Sequence, residues 1–164
     1  MKLQGRAYIF GNSINTDEII PAKYLKTLDK NLLGRCCMSG IDKDFSKKIK
    51  KGDIIVAGKN FGCGSSREQA PIAIKASGIS CVIANSFARI FFRNCINIGL
   101  PILEVREKLD IKNQDLLEID LRKGGILNKS KNKIYQATKF PQFLEGIIKT
   151  GGFIEWVRKT RAEK

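Results

Sequence analysis

Hydrophobic positions along the chain fall in short runs separated by polar and glycine-rich turns. Gly5–Gly11, "GRAYIFG", reads as a strand. "NSINTDEIIPAKYLKT" follows, with Asn, Ser, Asp and Pro punctuation that predicts a loop. Asp29–Cys37 and Asp44–Ile49 predict two short helices. Gly52-Asp53 turns into "IIVAG", a continuous apolar run of the length of a buried strand. "REQAPIAIKASG" has mixed apolar positions, but its Ala and Lys favour helix and Gly78 is a stop signal. Ser80–Ala84, "SCVIA", predicts the next strand. "NSFARIFFRNCINIG" then predicts a helix capped by Asn85-Ser86 and ended by Gly99, and Leu100–Glu104 another strand.

The central order is therefore strand–loop–helix–strand–helix–strand, a βαβ-containing core of the α/β class. The last third differs. "DLLEIDL" and "ILNKS" flank Lys123-Gly124-Gly125 and predict a hairpin, and "KIYQAT" adds a strand. Pro141 opens a helix that stops at Gly151, and residues 153–164 read as a basic tail that could add one turn. No internal repeat or low-complexity linker divides the chain, and 164 residues fit a single layered domain over 1–164.

Composition narrows the function classes. At 43% hydrophobic and 28% charged residues the chain is globular. It has no run of ~18 apolar residues to span a membrane, and Arg6 interrupts an N-terminus without a long apolar segment, so no signal peptide is expected. The cysteines, Cys36, Cys37, Cys63, Cys81 and Cys95, are odd in number and match no disulfide framework, which points to a reducing compartment, the cytoplasm. They form no C-x2-C pair and histidine is absent, so no metal or cluster ligands are expected from this chain alone.

The net charge of +14 suggests an anionic partner: nucleic acid, an acidic protein or small anions. Basic residues are scattered, with modest clusters at Lys47–Lys51 and Arg158–Lys164. No zinc finger, RNP-like motif or aromatic–basic interleaving is present, and nucleic acid is not the expected partner. A basic module holding phosphates or nucleic acid on a glycine-rich helix start remains the alternative from a different class.

The chemistry concentrates in "NFGCGSSREQAP", Asn60–Pro71. Gly62 and Gly64 permit positive φ and close approach of a ligand to the backbone. A helix beginning there presents free N–H groups to a carboxylate or phosphate, and Arg67 can add a bidentate fork. Ser65 with Glu68, or Ser66 with Gln69, also has the S-x-x-E/Q form of a capping box. The two readings are compatible, since one serine can cap while the other faces a ligand. The stretch is neither a Walker loop nor a Rossmann fingerprint, and a Ser-His-Asp triad needs a histidine that the chain lacks. A serine alkoxide could act as a base only if free amides and the adjacent Arg stabilised it in a site shielded from water.

"NFGCGSSREQAP" followed by "SFARIFFRNCINIGLPILE", with "NTDEIIPAKYL" upstream, resembles the small subunits of isopropylmalate dehydratases in the aconitase superfamily. The three blocks span about Gly11 to Glu104 in the family's order. The resemblance implies a swivelling β/β/α domain like the aconitase C-terminal domain, and a hydro-lyase that moves a hydroxyl between adjacent carbons of a substituted malate in leucine biosynthesis. It implies a separate large subunit carrying a [4Fe–4S] cluster, with no cofactor on this chain; isolated copies could form a homo-oligomer. At matching positions it makes Ser65 the base and Ser66 and Arg67 the carboxylate contacts, with Asp17, Gly62 and Gly64 in support. It also places Tyr24, Leu25, Lys26 and Thr27 against the variable part of a small dicarboxylic acid. Leu25 suits an isopropyl group, whereas Lys26 either extends to solvent or pairs with a distal carboxylate. The latter keeps homoaconitase and dimethylmalate dehydratase small subunits as alternatives. Gln69 stands where the family often has His.

Overall fold

The structure is a computed structural model that describes residues 1–138 and 141–162. Its strands are β1 (Lys2–Ile9), β2 (Ile54–Ala57), β3 (Cys81–Ala84), β4 (Ile102–Glu104), β5 (Leu116–Asp120), β6 (Gly125–Asn128) and β7 (Lys133–Gln136). They form one sheet in the order β4-β3-β2-β1-β5-β6-β7. β1 belongs to both of its halves. Ala7–Ile9 pairs parallel with β2, and Lys2–Arg6 pairs antiparallel with β5.

The burial pattern follows from this pairing. Every residue of β2 and β3 is buried, as expected of parallel strands covered on both faces. Alternate residues face opposite sides. Ile55, Ala57, Val82, Ala84 and Ile102 pack with the helices in one core. Ile54, Val56, Cys81, Ile83 and Leu103 pack with Leu117, Ile119, Ile126 and Tyr135 of the antiparallel strands in a second. The sheet therefore curls, so that β5–β7 cover the face the helices leave open.

The helices are α1 (Thr16–Ile19), α2 (Lys30–Arg35), α3 (Phe45–Lys48), α4 (Gln69–Ala76), α5 (Arg89–Asn97), α6 (Gln142–Thr150) and α7 (Phe153–Ala162). None among the described residues is long and apolar enough to cross a membrane. The α/β core, the hairpin and the strand at "KIYQAT" agree with the sequence reading.

Three features differ from it. The segment predicted as a loop contains α1 and a 3-10 turn at Ala22–Tyr24. α5 starts after Ala88 and has no side-chain cap. The predicted cap residues tie loops instead: Asn85 donates to the carbonyls of Val105 and Glu107 at 2.8 and 3.0 Å, and the Ser86 hydroxyl accepts from the Asn60 N–H at 2.9 Å. Residues 153–162 form the full helix α7, with Trp156 packed on the first core.

Candidate active site

Parallel strands joined by helices place all their carboxyl ends on one edge, where α/β sheets hold ligands. The segment after β1 and the segment after β2 meet at that edge. They are joined as a short parallel bridge, Asn15 to Cys63. The Gly62 N–H donates to the Ile14 carbonyl at 2.8 Å, and the Thr16 N–H to the Cys63 carbonyl at 2.9 Å. Asn15 caps α1 with its side chain, and Glu18 returns a bond to the Asn15 N–H at 2.7 Å. This capping box fixes the direction in which α1 presents Asp17.

Gly62 is required twice. Its φ is +78°, and a Cβ there would lie 2.1 Å from the Phe91 ring carbon Cγ. Phe91 stacks edge-on against Phe61, so α5 presses the glycine turn against the sheet edge. Gly64 has φ +90° and opens the exposed segment that holds the serines.

Neither serine caps α4, contrary to the capping-box expectation. α4 begins at Gln69, Glu68 is its N-cap residue in αR geometry, and no side chain bonds there. Ser65 and Ser66 precede the helix and are exposed. Among the described residues their hydroxyls and N–H groups donate to no partner within the chain. The Ser65 carbonyl is held on both sides, by the Thr16 hydroxyl at 3.1 Å and the Arg67 N–H at 2.8 Å. The backbone of the serine pair is thus fixed while its polar hydrogens face outward.

Arg67 has only 13% of its side chain exposed. Its Nη1 donates to Asp17 Oδ1 and to the Ile20 carbonyl, the latter at 3.2 Å. Both Nη1 hydrogens are then used. Nε and Nη2 have no acceptor among the described residues, and together they form the two-donor edge that matches a carboxylate. Asp17 itself is 58% exposed. One guanidinium edge, two hydroxyls and the serine amides are thus left without acceptors among the described residues.

The predicted substrate segment lies beside these groups. Gln69, the first residue of α4, donates from Nε2 to the Leu25 carbonyl at 3.2 Å. Tyr24 and Leu25 are half-buried against the first core, Thr27 is half-buried, and Lys26 is exposed. The Thr27 hydroxyl accepts from the Asp29 N–H at 3.1 Å and starts α2. Arg67 is thus bonded directly to Asp17 and to the Ser65 carbonyl, while Leu25 is tied to Gln69, two residues beyond Arg67. No bond connects Ser66 or Lys26 to the other predicted site residues.

The bonds by which Thr16, Ile20 and Gln69 hold the predicted residues from outside the site were not predicted. The N-x-x-E spacing of Asn15 and Glu18 was a signal for α1. Gln69 stood out only as a possible capping partner and as the position where the family often has His; its reach to Leu25 depends on where α4 begins.

Among the described residues no group of three or more His, Cys, Asp or Glu side chains could hold a metal. Burial pushes the Cys37 thiol up to about 12 and raises Cys81 and Cys95 as well. These three are packing residues and stay protonated.

Residues 10–108 match the aconitase C-terminal domain family. The 3-isopropylmalate dehydratase small subunit of Endomicrobium trichonymphae is 59% identical over 157 residues, covering 95% of this chain and 96% of the relative. That of Caldicellulosiruptor saccharolyticus is 57% identical over 159 residues, covering 96% and 92%. A crystal structure of 3-isopropylmalate dehydratase from Methanocaldococcus jannaschii superposes with a TM-score of 0.94 at 49% identity, covering 99% of this chain and 96% of that one.

Proposed function

We propose, from the premise that this chain belongs to the 3-isopropylmalate dehydratase small subunits within the aconitase C-terminal domain family, that Ser65 and Arg67 are its catalytic contribution. The chain is a hydro-lyase subunit that works with a large subunit in isomerising 2-isopropylmalate to 3-isopropylmalate, a step of leucine biosynthesis. The observation that carries the residue assignment is the joining of the serine segment after β2 to Asp17 and the 24–27 segment after β1. It gathers a base, a carboxylate fork and an apolar contact at one sheet edge.

In this reading the free edge of Arg67 and the Ser66 hydroxyl hold a substrate carboxylate. Ser65 Oγ, as alkoxide, takes the proton from the carbon beside that carboxylate. The hydroxyl on the neighbouring carbon leaves as hydroxide, giving an enoic diacid. Hydration in the opposite sense returns the proton from Ser65 Oγ to one carbon and places the hydroxyl on the other, so the isomerisation is balanced without oxidant or reductant. The unpaired N–H groups of Ser65 and Ser66 and the nearby guanidinium favour the alkoxide once the large subunit excludes water. A [4Fe–4S] cluster held by the large subunit would supply a Lewis acid for the leaving hydroxyl, with no ligand from this chain.

Leu25 meets the isopropyl group, while Lys26 extends to solvent. Asp17 orients Arg67 from its Nη1 side. The working form is a cytoplasmic complex with the large subunit.

The test is reconstitution. The chain mixed with its large subunit should convert 2-isopropylmalate, and neither subunit alone should do so. Turnover of homoaconitate without turnover of isopropylmalate would overturn the substrate assignment. Salt-dependent affinity for mixed-sequence DNA, with no hydro-lyase activity in the complex, would favour a nucleic-acid module instead.

A further inference from the structure

Gln69 occupies a position between the two arms of the site. Its backbone opens α4 two residues after Arg67, so it moves with the reacting segment. Its side chain is half-buried and donates to the Leu25 carbonyl at 3.2 Å, on the segment that faces the variable part of the substrate. The segment has few other ties. Its other hydrogen bonds are local, from Tyr24 to Pro21, Leu25 to Ala22, Thr27 to Tyr24 at 3.3 Å and Asp29 to the Thr27 hydroxyl, and its apolar contact is the packing of Tyr24 and Leu25 on the first core. Arg67 reaches its entrance through the Ile20 carbonyl. The Gln69 amide is the polar link from α4 to its tip.

We infer that Gln69 is a positioning residue for substrate discrimination: it fixes the distance between the Ser65–Arg67 chemistry and the Leu25 side chain. The inference rests on the proposed roles of Ser65, Arg67 and the 24–27 segment. Physically, Ser65 and Arg67 fix the common malate part of the substrate. The side-chain part is then judged by where Leu25 lies relative to that anchor. A tie that joins these arms alters the relative binding of long and short side chains more than the chemical step itself. Gln is suited to it because a neutral amide donates at any pH at which the enzyme works and adds no charge beside Arg67.

The experiment uses the complex with the large subunit. Gln69→Met keeps length and removes the donor; Gln69→His restores an N–H at similar reach. For each, kcat/KM is measured for 2-isopropylmalate and for the shorter 2-methylmalate. Gln69→Met should lower the preference for the isopropyl substrate about threefold to tenfold, the size of one neutral hydrogen bond. kcat on 2-isopropylmalate should stay within about twofold, and Gln69→His should recover most of the preference. Independently of any substrate, amide exchange over residues 24–29 should be faster in Gln69→Met than in wild type, at unchanged melting temperature. An unchanged preference ratio, or an equal fall for both substrates, would overturn the inference, as would unchanged exchange. Wild-type complex inactive on both substrates would instead remove the functional reading beneath it, and this inference with it.

Discussion

β1–β4 run parallel and send their following segments to a common edge, whereas β5–β7 alternate in direction and send tight turns to both ends. The proposed site residues all lie on segments after β1 and β2, none on the antiparallel strands. β2 and β3 are buried throughout and β5–β7 alternate, but burial does not say which half carries the site. Connectivity does. A parallel pair needs a long crossover, and that crossover has room for α1, the 24–27 segment and the serine loop. A hairpin closes in a few residues and leaves only covering area. The antiparallel half uses that area to build the second core with Tyr135 and Ile126, and so holds the strands that carry the site. Function and closure are divided between two halves that share β1.

The division can be broken or sharpened by substitution. After Ser65, the largest difference is expected at Arg67. Arg67→Lys keeps the charge but loses the planar edge, and kcat/KM of the reconstituted complex should fall about 100-fold or more, with little change in melting temperature.

A change in the other half should do the reverse. Asn128 is fully buried at the end of β6; its Nδ2 donates to Asp115 Oδ2 at 2.7 Å, and its Oδ1 accepts from the Lys131 N–H. Asn128→Ala should cost about 1–3 kcal/mol in urea unfolding while kcat/KM stays within about twofold at a temperature where the protein is folded. Loss of turnover greater than the loss of folded protein would show that the halves are not separable.

The same site gives a pH signature. Burial pushes the Asp115 carboxyl up, but the N–H of Lys112, the amide of Asn128 and the charge of Lys131 together hold the group below its ordinary value. A folded-state pKa below the unfolded one adds stability above the unfolded value of about 3.9, and that stability is lost as pH falls through the folded value. Asn128→Ala should shrink this acid loss.

The smallest effect is expected at Lys26. Lys26→Ala should change isopropylmalate turnover by less than about threefold, as for a solvated side chain. A large gain or loss would mean that the ammonium reads the substrate.

The sequence reading was most successful where a local pattern has one physical solution. The all-apolar runs 54–57 and 81–84 suit strands covered on both faces, and they are. The glycines at 62 and 64 announced positive φ, and both have it. The serines show the opposite case. S-x-x-E/Q fits a cap, but the chain already turns in αR geometry at Glu68, and Arg67 must reach back to Asp17 and Ile20 from 47 to 50 residues earlier. Such long-range constraints have no local signature. α1 has only four residues, too few for periodicity, and its capping pair was the one available mark. α7 has no buried residue and keeps Phe153 and Ile154 exposed, so its apolar positions gave no clean stripe. Proximity of Asp17, Leu25, Ser65 and Arg67 came from the family resemblance; the tie through Gln69 required the fold.

Ser65 is the residue whose loss should cost the reaction most. Ser65→Ala is titrated into the large subunit, with association and turnover of 2-isopropylmalate measured on the same samples. Because the serine hydroxyl is exposed and bonds to nothing within the chain, affinity for the large subunit should stay within about twofold while kcat falls by about 1,000-fold or more. Turnover near the wild-type rate in the assembled complex would contradict the assignment of Ser65 as the base.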